Sequence, residues 1–184
     1  MSDAQLELTA VARGFEAVYR EHYAFVWRSV RRLGVPDREL DDVVQEVFVI
    51  VHRRLAEFEG RSMVTTWLFG IAYRVVRDHR RKVAARERRE AAVTAGKPPT
   101  EPDQRLSRHQ AVDVLDGLLA ELDEDKRGVF VMAEIVKMTA NEIAEVTGVG
   151  PNTVSSRLRA ARKAFEDALA RYRAKSGGEL PWMS

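Results

Sequence analysis

The sequence predicts an all-α fold made of two small helical domains joined by a flexible linker. Three observations carry that prediction. Apolar residues recur at helical spacing through most of the chain, and no alternating strand pattern of useful length appears. Residues 95–104, AGKPPTEPDQ, place three prolines and a glycine where no apolar anchor is present, which stops any helix there. On either side, helix-breaking and capping residues divide the apolar stripes into short helices. The divisions expected are a first domain over residues 1–92, a linker over 93–104, a second domain over 105–175 and a disordered tail over 176–184.

In order along the chain, Phe15, Val18, Tyr19, Tyr23, Val26, Val30 and Leu33 predict a first helix, which Gly34-Val35-Pro36 ends. Asp37 is placed to cap a second helix with Leu40, Val43, Val44, Val47, Phe48, Val51 and Leu55 inward. Residues 58–64 read as a loop, after which Thr65 or Thr66 caps a long helix that buries Trp67, Leu68, Ile71, Ala72, Val75 and Val76. The later half of that helix loses its stripe and becomes almost wholly charged. Beyond the linker, Leu106, Val112, Leu115, Leu118, Leu119 and Leu122 start a second module. Asp123 caps the next helix, which carries Val129, Phe130, Ala133 and Val136.

Residues 139–163 are the most specific stretch. Thr139 with Glu142 three residues on forms a capping-box pattern, and Ile143, Ala144 and Val146 make one apolar face. Gly148 suits the left-handed residue that closes a helix, and Pro151 suits the first turn of the next. Val154, Leu158, Ala161 and Phe165 then form a buried stripe, with Asn152, Ser155, Ser156, Arg157, Arg159, Arg162 and Lys163 largely off it. Two helices joined by a glycine turn, the second exposing Ser, Asn and Arg, have the form of a DNA-binding helix-turn-helix. An ordinary helical hairpin with a solvated basic face has the same pattern, so the rest of the chain has to decide.

Charge distribution favours the DNA-binding reading. The net charge is only +2, but residues 74–91 hold 8 basic against 3 acidic side chains, and residues 152–175 hold 7 against 2. Acidic segments adjoin both: residues 1–60 hold 8 basic against 11 acidic, and residues 101–134 hold 4 against 9. Two basic stripes, one in each module, suit a polyanion contacted twice. Enzymatic readings lack parts. The four histidines have no partner histidine one turn away, there is no cysteine, and the glycines stand singly at breaks rather than in a phosphate-binding loop. No metal, cofactor or catalytic residue is expected. With 45% apolar and 32% charged residues, no run of roughly 18 apolar residues and no signal-peptide start, the chain reads as a cytoplasmic protein without membrane insertion.

In the first module, DDVVQEVF sets Asp42, Gln45 and Glu46 opposite Val43, Val44, Val47 and Phe48. The next helix mixes Trp67, Phe69 and Tyr73 with Arg74, Arg77, Arg80, Arg81 and Lys82. Aromatic rings can wedge against or stack on unpaired bases while arginines follow phosphates. Trp67 reads better as core, and Tyr73 and the arginines as contacts.

DDVVQEVF, FEGRSMVTTWLFGIAYRVVRDHRRK and EIAEVTGVGPNTVSSRLRAARK, in that order and separation, resemble a bacterial extracytoplasmic-function sigma factor of RNA polymerase. The resemblance covers roughly residues 15–82 and 106–172. It implies region 2 and region 4 domains and a non-enzymatic protein that binds polymerase core and directs it to promoters. By the same resemblance Asp42, Gln45 and Glu46 face the beta-prime subunit, with beta a further core contact. The loop with Phe58, Glu59, Arg61 and Ser62 forms the minus-ten base pocket, with Tyr73, Arg74, Arg77, Arg80 and Arg81 along the DNA. Asn152, Ser155, Ser156 and Arg159 reach the minus-thirty-five element, while Arg157, Arg162 and Lys163 mainly hold phosphates. An anti-sigma protein is implied as a further partner. The sequence departs from the family pattern at Arg74 (usually Asn), Lys137 (usually Gly), and Ser155 and Ala160 (usually basic). A free-standing helix-turn-helix regulator and a polymerase-binding adaptor remain as alternatives.

Overall fold

Apolar periodicity becomes helix along most of the described residues. The computed structural model describes residues 14–91 and 110–176, so the linker, Leu106 and the tail beyond Ser176 lie outside the described residues. Helices α1 (Phe15–Arg32), α2 (Leu40–Arg54) and α3 (Val64–Ala91) pack on one another as the first module. Helices α4 (Gln110–Ala120), α5 (Glu124–Phe130), α6 (Ala140–Thr147) and α7 (Pro151–Lys175) form the second, and no strand occurs among the described residues.

Helix ends differ from expectation at three places. Asp37 does not cap α2. It lies in a short 3₁₀ turn, Asp37–Glu39, and its carboxylate sits 3.6 Å from Arg31, a charged partner that competes with the backbone amides. Neither Thr65 nor Thr66 caps α3, because the helix begins ahead of both at Val64. Burial of the Val64 side chain draws that first turn into the core, and the Trp67 amide already bonds to the Met63 carbonyl at 3.1 Å. The helix expected to run through Val136 opens after Phe130 into a single π turn, Val131–Ile135.

That π turn explains an unusual residue. The Val136 amide donates to the Val131 carbonyl at 3.0 Å and the Met138 amide to the Met132 carbonyl at 2.9 Å. Closing such wide bonds requires a left-handed residue between them, and Lys137 supplies it at φ 64, the one non-glycine residue with positive φ among the described residues. Glycine adopts that conformation freely because it has no Cβ to clash.

The helix-turn-helix forms as its sequence dictates. Glu142 N–H donates to Thr139 Oγ1 at 3.3 Å and Thr139 N–H to the Glu142 carboxylate at 2.7 Å, completing the capping box. Gly148 adopts φ 75 and Pro151 occupies the first turn of α7. Val154 and Ala161 are buried, and Phe165 stacks on Phe130 with ring centroids 4.6 Å apart.

The two modules do not stand apart. Val18, Val47 and Leu68 belong to the same continuous apolar core as Leu119, Val129 and Ile143. α4 lies along α1 and α6 lies against α3. Gly70 permits the second approach: a Cβ there would stand 3.2 Å from Val146 Cγ2.

Replacing Lys137 by Gly should remove the left-handed strain, roughly 1–2 kcal/mol, while adding unfolded-state freedom of roughly 0.5–1 kcal/mol. The expected outcome in thermal or urea denaturation is a net gain of about 0.5–1 kcal/mol. A loss of stability would show that the Lys137 side chain contributes more than its backbone costs.

Candidate nucleic-acid interface

Three surfaces carry the residues singled out by sequence. On α2, Asp42 and Gln45 are exposed. Glu46 is half-buried, 3.3 Å from Lys82 Nζ on α3. Gln45 also borders a groove of about 690 Å³ between α1 and α2, lined by Phe15, Tyr19, Tyr23, Phe48 and His52. Those rings interlock, with Tyr19 and Phe48 centroids 4.7 Å apart, yet Tyr19 and Val49 stay exposed. Tyr19 shares the apolar spacing that predicts α1, yet it lies a step outside the buried Val18–Val26–Val30 stripe.

The second surface is the loop before α3 with the outer face of that helix. Phe58 is half-buried with its ring 5.1 Å from Trp67, which fixes the loop to the helix start and bears out Trp67 as a packing residue. Glu59 and Arg61 are exposed and paired at 2.6 Å, and the Ser62 hydroxyl donates locally to the Met63 carbonyl. Phe69 is wholly buried. Arg74 and Arg77 are exposed, with no carboxylate in ion-pair range among the described residues. Arg81 pairs with Asp78 one turn before it.

Tyr73 and Arg80 stand differently from their neighbours. Tyr73 is buried at 7% exposure beneath α5, where a Cβ on Gly128 would come within 2.7 Å of its ring. Burial raises its hydroxyl pKa, with the nearby Asp125 charge adding to the rise. Arg80 reaches Glu124 at 3.1 Å and donates to the Leu33 carbonyl at the end of α1. Arg127 of α5 approaches that same carbonyl and donates to the Ala120 and Leu122 carbonyls at 2.8 and 3.0 Å. Burial, and next the Arg80 charge, lowers the Arg127 pKa.

The third surface is the start of α7. Asn152, Ser155, Ser156, Arg159, Arg162 and Lys163 are exposed, and Arg157 is half-buried. Both serine hydroxyls donate backwards to helix carbonyls, Ser155 to Pro151 and Ser156 to Thr153, each at 3.0 Å, so their remaining lone pairs face outward as acceptors. Arg157 is paired with Asp125 at 2.9 Å and Arg162 with Glu134 at 2.7 Å. Arg159 and Lys163 have no such partner among the described residues. A row of hydroxyl, amide and unpaired guanidinium groups on one helix face can read base edges in a major groove.

Residues 18–86 match the Sigma-70 region 2 family and residues 113–165 match Sigma-70, region 4. The chain belongs to the extracytoplasmic-function sigma factors of RNA polymerase. Among the relatives of this sigma factor, the ECF RNA polymerase sigma factor SigC of Mycobacterium tuberculosis is 30% identical over 156 residues, covering 83% of this chain and 82% of that one. The RNA polymerase sigma-H factor of Pseudomonas aeruginosa is 30% identical over 170 residues, covering 85% and 86%. A solved structure of CnrH in complex with the cytosolic domain of CnrY superposes with a TM-score of 0.61 at 26% identity, covering 92% of this chain and 97% of that one. This sigma factor is a promoter-specificity subunit for transcription initiation, with region 2 carried by α1–α3 and region 4 by α4–α7.

Acidic residues missed by sequence reasoning complete the site. The first turn of α5 sets Glu124 and Asp125 against Arg80 and Arg157, and Asp123 holds that turn by accepting from the Lys126 amide at 2.9 Å. Hydrogen bonds from the Lys126 side chain and backbone hold the Asp123 carboxyl below its usual pKa. A depressed carboxylate pKa contributes stability above the unfolded value and loses it as pH falls through the folded one. Asp123→Ala should therefore cost about 1 kcal/mol at neutral pH, and the difference from the parent should shrink as denaturation is repeated at acidic pH. A constant difference would mean the cap does not depend on the charged carboxylate.

Proposed function

We propose that this sigma factor divides its contacts among the three surfaces. The exposed carboxylate face of α2, with Asp42, Gln45 and Glu46, engages the coiled coil of the beta-prime subunit, with beta completing the core interface. The loop with Phe58, Glu59, Arg61 and Ser62 receives an extruded base of the minus-ten element. Tyr73, Arg74, Arg77, Arg80 and Arg81 follow the adjoining strand. Asn152, Ser155, Ser156 and Arg159 read the minus-thirty-five element, and Arg157, Arg162 and Lys163 hold its phosphates. The observation that most supports this division is the start of α7. It follows a capped, left-handed glycine turn and leaves its amide, hydroxyl and guanidinium groups on one open face.

Physical consequences follow. Two modest DNA sites on one chain gain affinity through effective concentration once polymerase holds both. Extruding a base costs a few kcal/mol, which a fitted pocket and phosphate contacts offset. Free-protein binding to DNA should be weak and strongly salt-dependent. Arg74 adds a cation beside the base pocket, and the neutral Ser155 and Ala160 leave α7 with fewer charged readers, so the minus-thirty-five preference differs from the family's common one. On this reading the protein acts in the cytoplasm beside polymerase. No helix of the described residues is long and apolar enough to cross a membrane. CnrH is solved in complex with the cytosolic domain of CnrY, which supports a further protein partner here, by the family resemblance an anti-sigma protein.

In vitro transcription with purified core polymerase and a library of random promoter fragments tests the reading. Enrichment of start sites with two spaced upstream motifs is expected; transcription no greater than with core alone would favour a free-standing regulator. Two variants separate the surfaces. Asp42→Lys with Glu46→Lys should weaken core binding while leaving the fold intact, as judged by circular dichroism. Arg159→Ala should keep core affinity and relax one upstream base position by roughly 1–3 kcal/mol.

A further inference from the structure

The π turn after α5 sets a carboxylate against the helix that faces DNA. Glu134 Oε1 accepts from Arg162 Nε at 2.8 Å and stands 2.7 Å from Nη2 of the same guanidinium. Ser155, Arg159, Arg162 and Lys163 stand at i, i+4, i+7 and i+8, which is one face of α7. Arg162 lies at the edge of that face, beside the apolar stripe of Val154, Leu158 and Ala161. The aim of Glu134 comes from the turn itself. Val131 and Met132 are buried, their carbonyls accept from the Val136 and Met138 amides, and Lys137 closes the turn at φ 64. Glu134 therefore rides on a backbone anchored from the core, and single π turns of this kind recur at functional sites.

Stability does not account for the pair. The Arg162 side chain is 56% exposed and that of Glu134 32%, and ion pairs this open contribute little to folding. Simple electrostatics argues against a carboxylate here, because it repels the phosphates that α7 approaches. Its geometry on Arg162 resolves the conflict. A guanidinium carries five donors in a rigid plane. Glu134 occupies the edge formed by Nε and Nη2, which leaves the opposite edge, one hydrogen on each terminal nitrogen, held in a fixed direction. That free edge matches two oxygens of one phosphate.

We propose that Glu134 is a positioning residue for promoter recognition: it holds Arg162 edge-on to a single phosphate, and that fixed contact sets the register of α7 on the minus-thirty-five element. The inference rests on the reading of α7 given above. Phosphate contacts carry no sequence information themselves, but they fix where the base-reading side chains fall. Arg159 and Lys163 have no ion-pair partner among the described residues and add attraction without that constraint. Loss of Glu134 turns Arg162 into one more mobile cation, which favours any DNA and weakens discrimination.

The test uses the full chain bound to core polymerase and two DNA fragments. One is a promoter recovered in the transcription selection, and the other is the same fragment with its minus-thirty-five motif scrambled. Glu134→Ala should bind the promoter several-fold more weakly while binding the scrambled fragment as well as the parent or better. An equal change on both fragments, whether rise, fall or none, would overturn the inference, since a bare charge or a structural tie acts on both alike. Arg162→Ala should lower the same ratio, and adding Glu134→Ala to it should lower the ratio no further. A further fall would show that Glu134 acts through another residue. Arg162→Lys keeps the test open if Glu134→Ala does not fold. It retains the charge without the paired edge, so its ratio should fall as far as that of Arg162→Ala, and a ratio equal to the parent's would count against positioning. A parent that binds both fragments equally would instead sink the assignment of α7 to the minus-thirty-five element, and this inference with it.

Discussion

The carbonyl of Leu33 is the point on which the arrangement of this sigma factor depends. It ends α1, where Gly34 turns the chain with positive φ, and it would be costly to bury without a donor. Two guanidinium groups supply donors from opposite sides: Arg80 from region 2 and Arg127 from region 4. Arg127 is itself largely buried and needs the Ala120 and Leu122 carbonyls as well, so the end of α4, the start of α5 and the end of α1 are held together. A Cβ at position 34 would meet only the movable ends of the two arginines, so this turn requires glycine for its backbone conformation, φ 90.

Around that junction the electrostatics are uneven. Asp116 sits between Arg31 and Arg32, yet burial dominates and holds its carboxyl above the usual range, with the two arginines pulling against it. One of its oxygens and Arg32 Nε lack hydrogen-bond partners. Buried charges of this kind contribute less net stability than their distances suggest, because desolvation offsets attraction. The contact between regions therefore rests chiefly on apolar burial and shape, such as Gly70 on Val146 and Gly128 on Tyr73, with ion pairs setting register.

Much of the site was legible from the chain alone. The capping box at Thr139 and Glu142, the left-handed Gly148 and the N-terminal Pro151 specify the helix-turn-helix locally, and each forms as its chemistry requires. Trp67 as packing and Asn152, Ser155, Ser156 and Arg159 as exposed residues follow from helical period. Less legible were helix starts. Asp37 prefers Arg31, across the Gly34 turn, to the backbone, and Val64 is drawn inward by a core whose other members lie far off in sequence. The π turn after Phe130 was equally hidden, since nothing in its apolar spacing distinguishes it from an α-turn.

What the sequence determined by itself was the set of helices, their buried faces and the family, because periodicity, caps and turns act within a few residues. Tertiary structure alone decided which polar residues stay free. Arg74, Arg77 and Arg80 look equivalent along one strip of α3, yet only Arg80 meets Glu124, and Tyr73 passes from a candidate contact to a buried ring. Those outcomes depend on where α5 lands, and that is set by long-range packing across the break at 95–104, which no local pattern encodes.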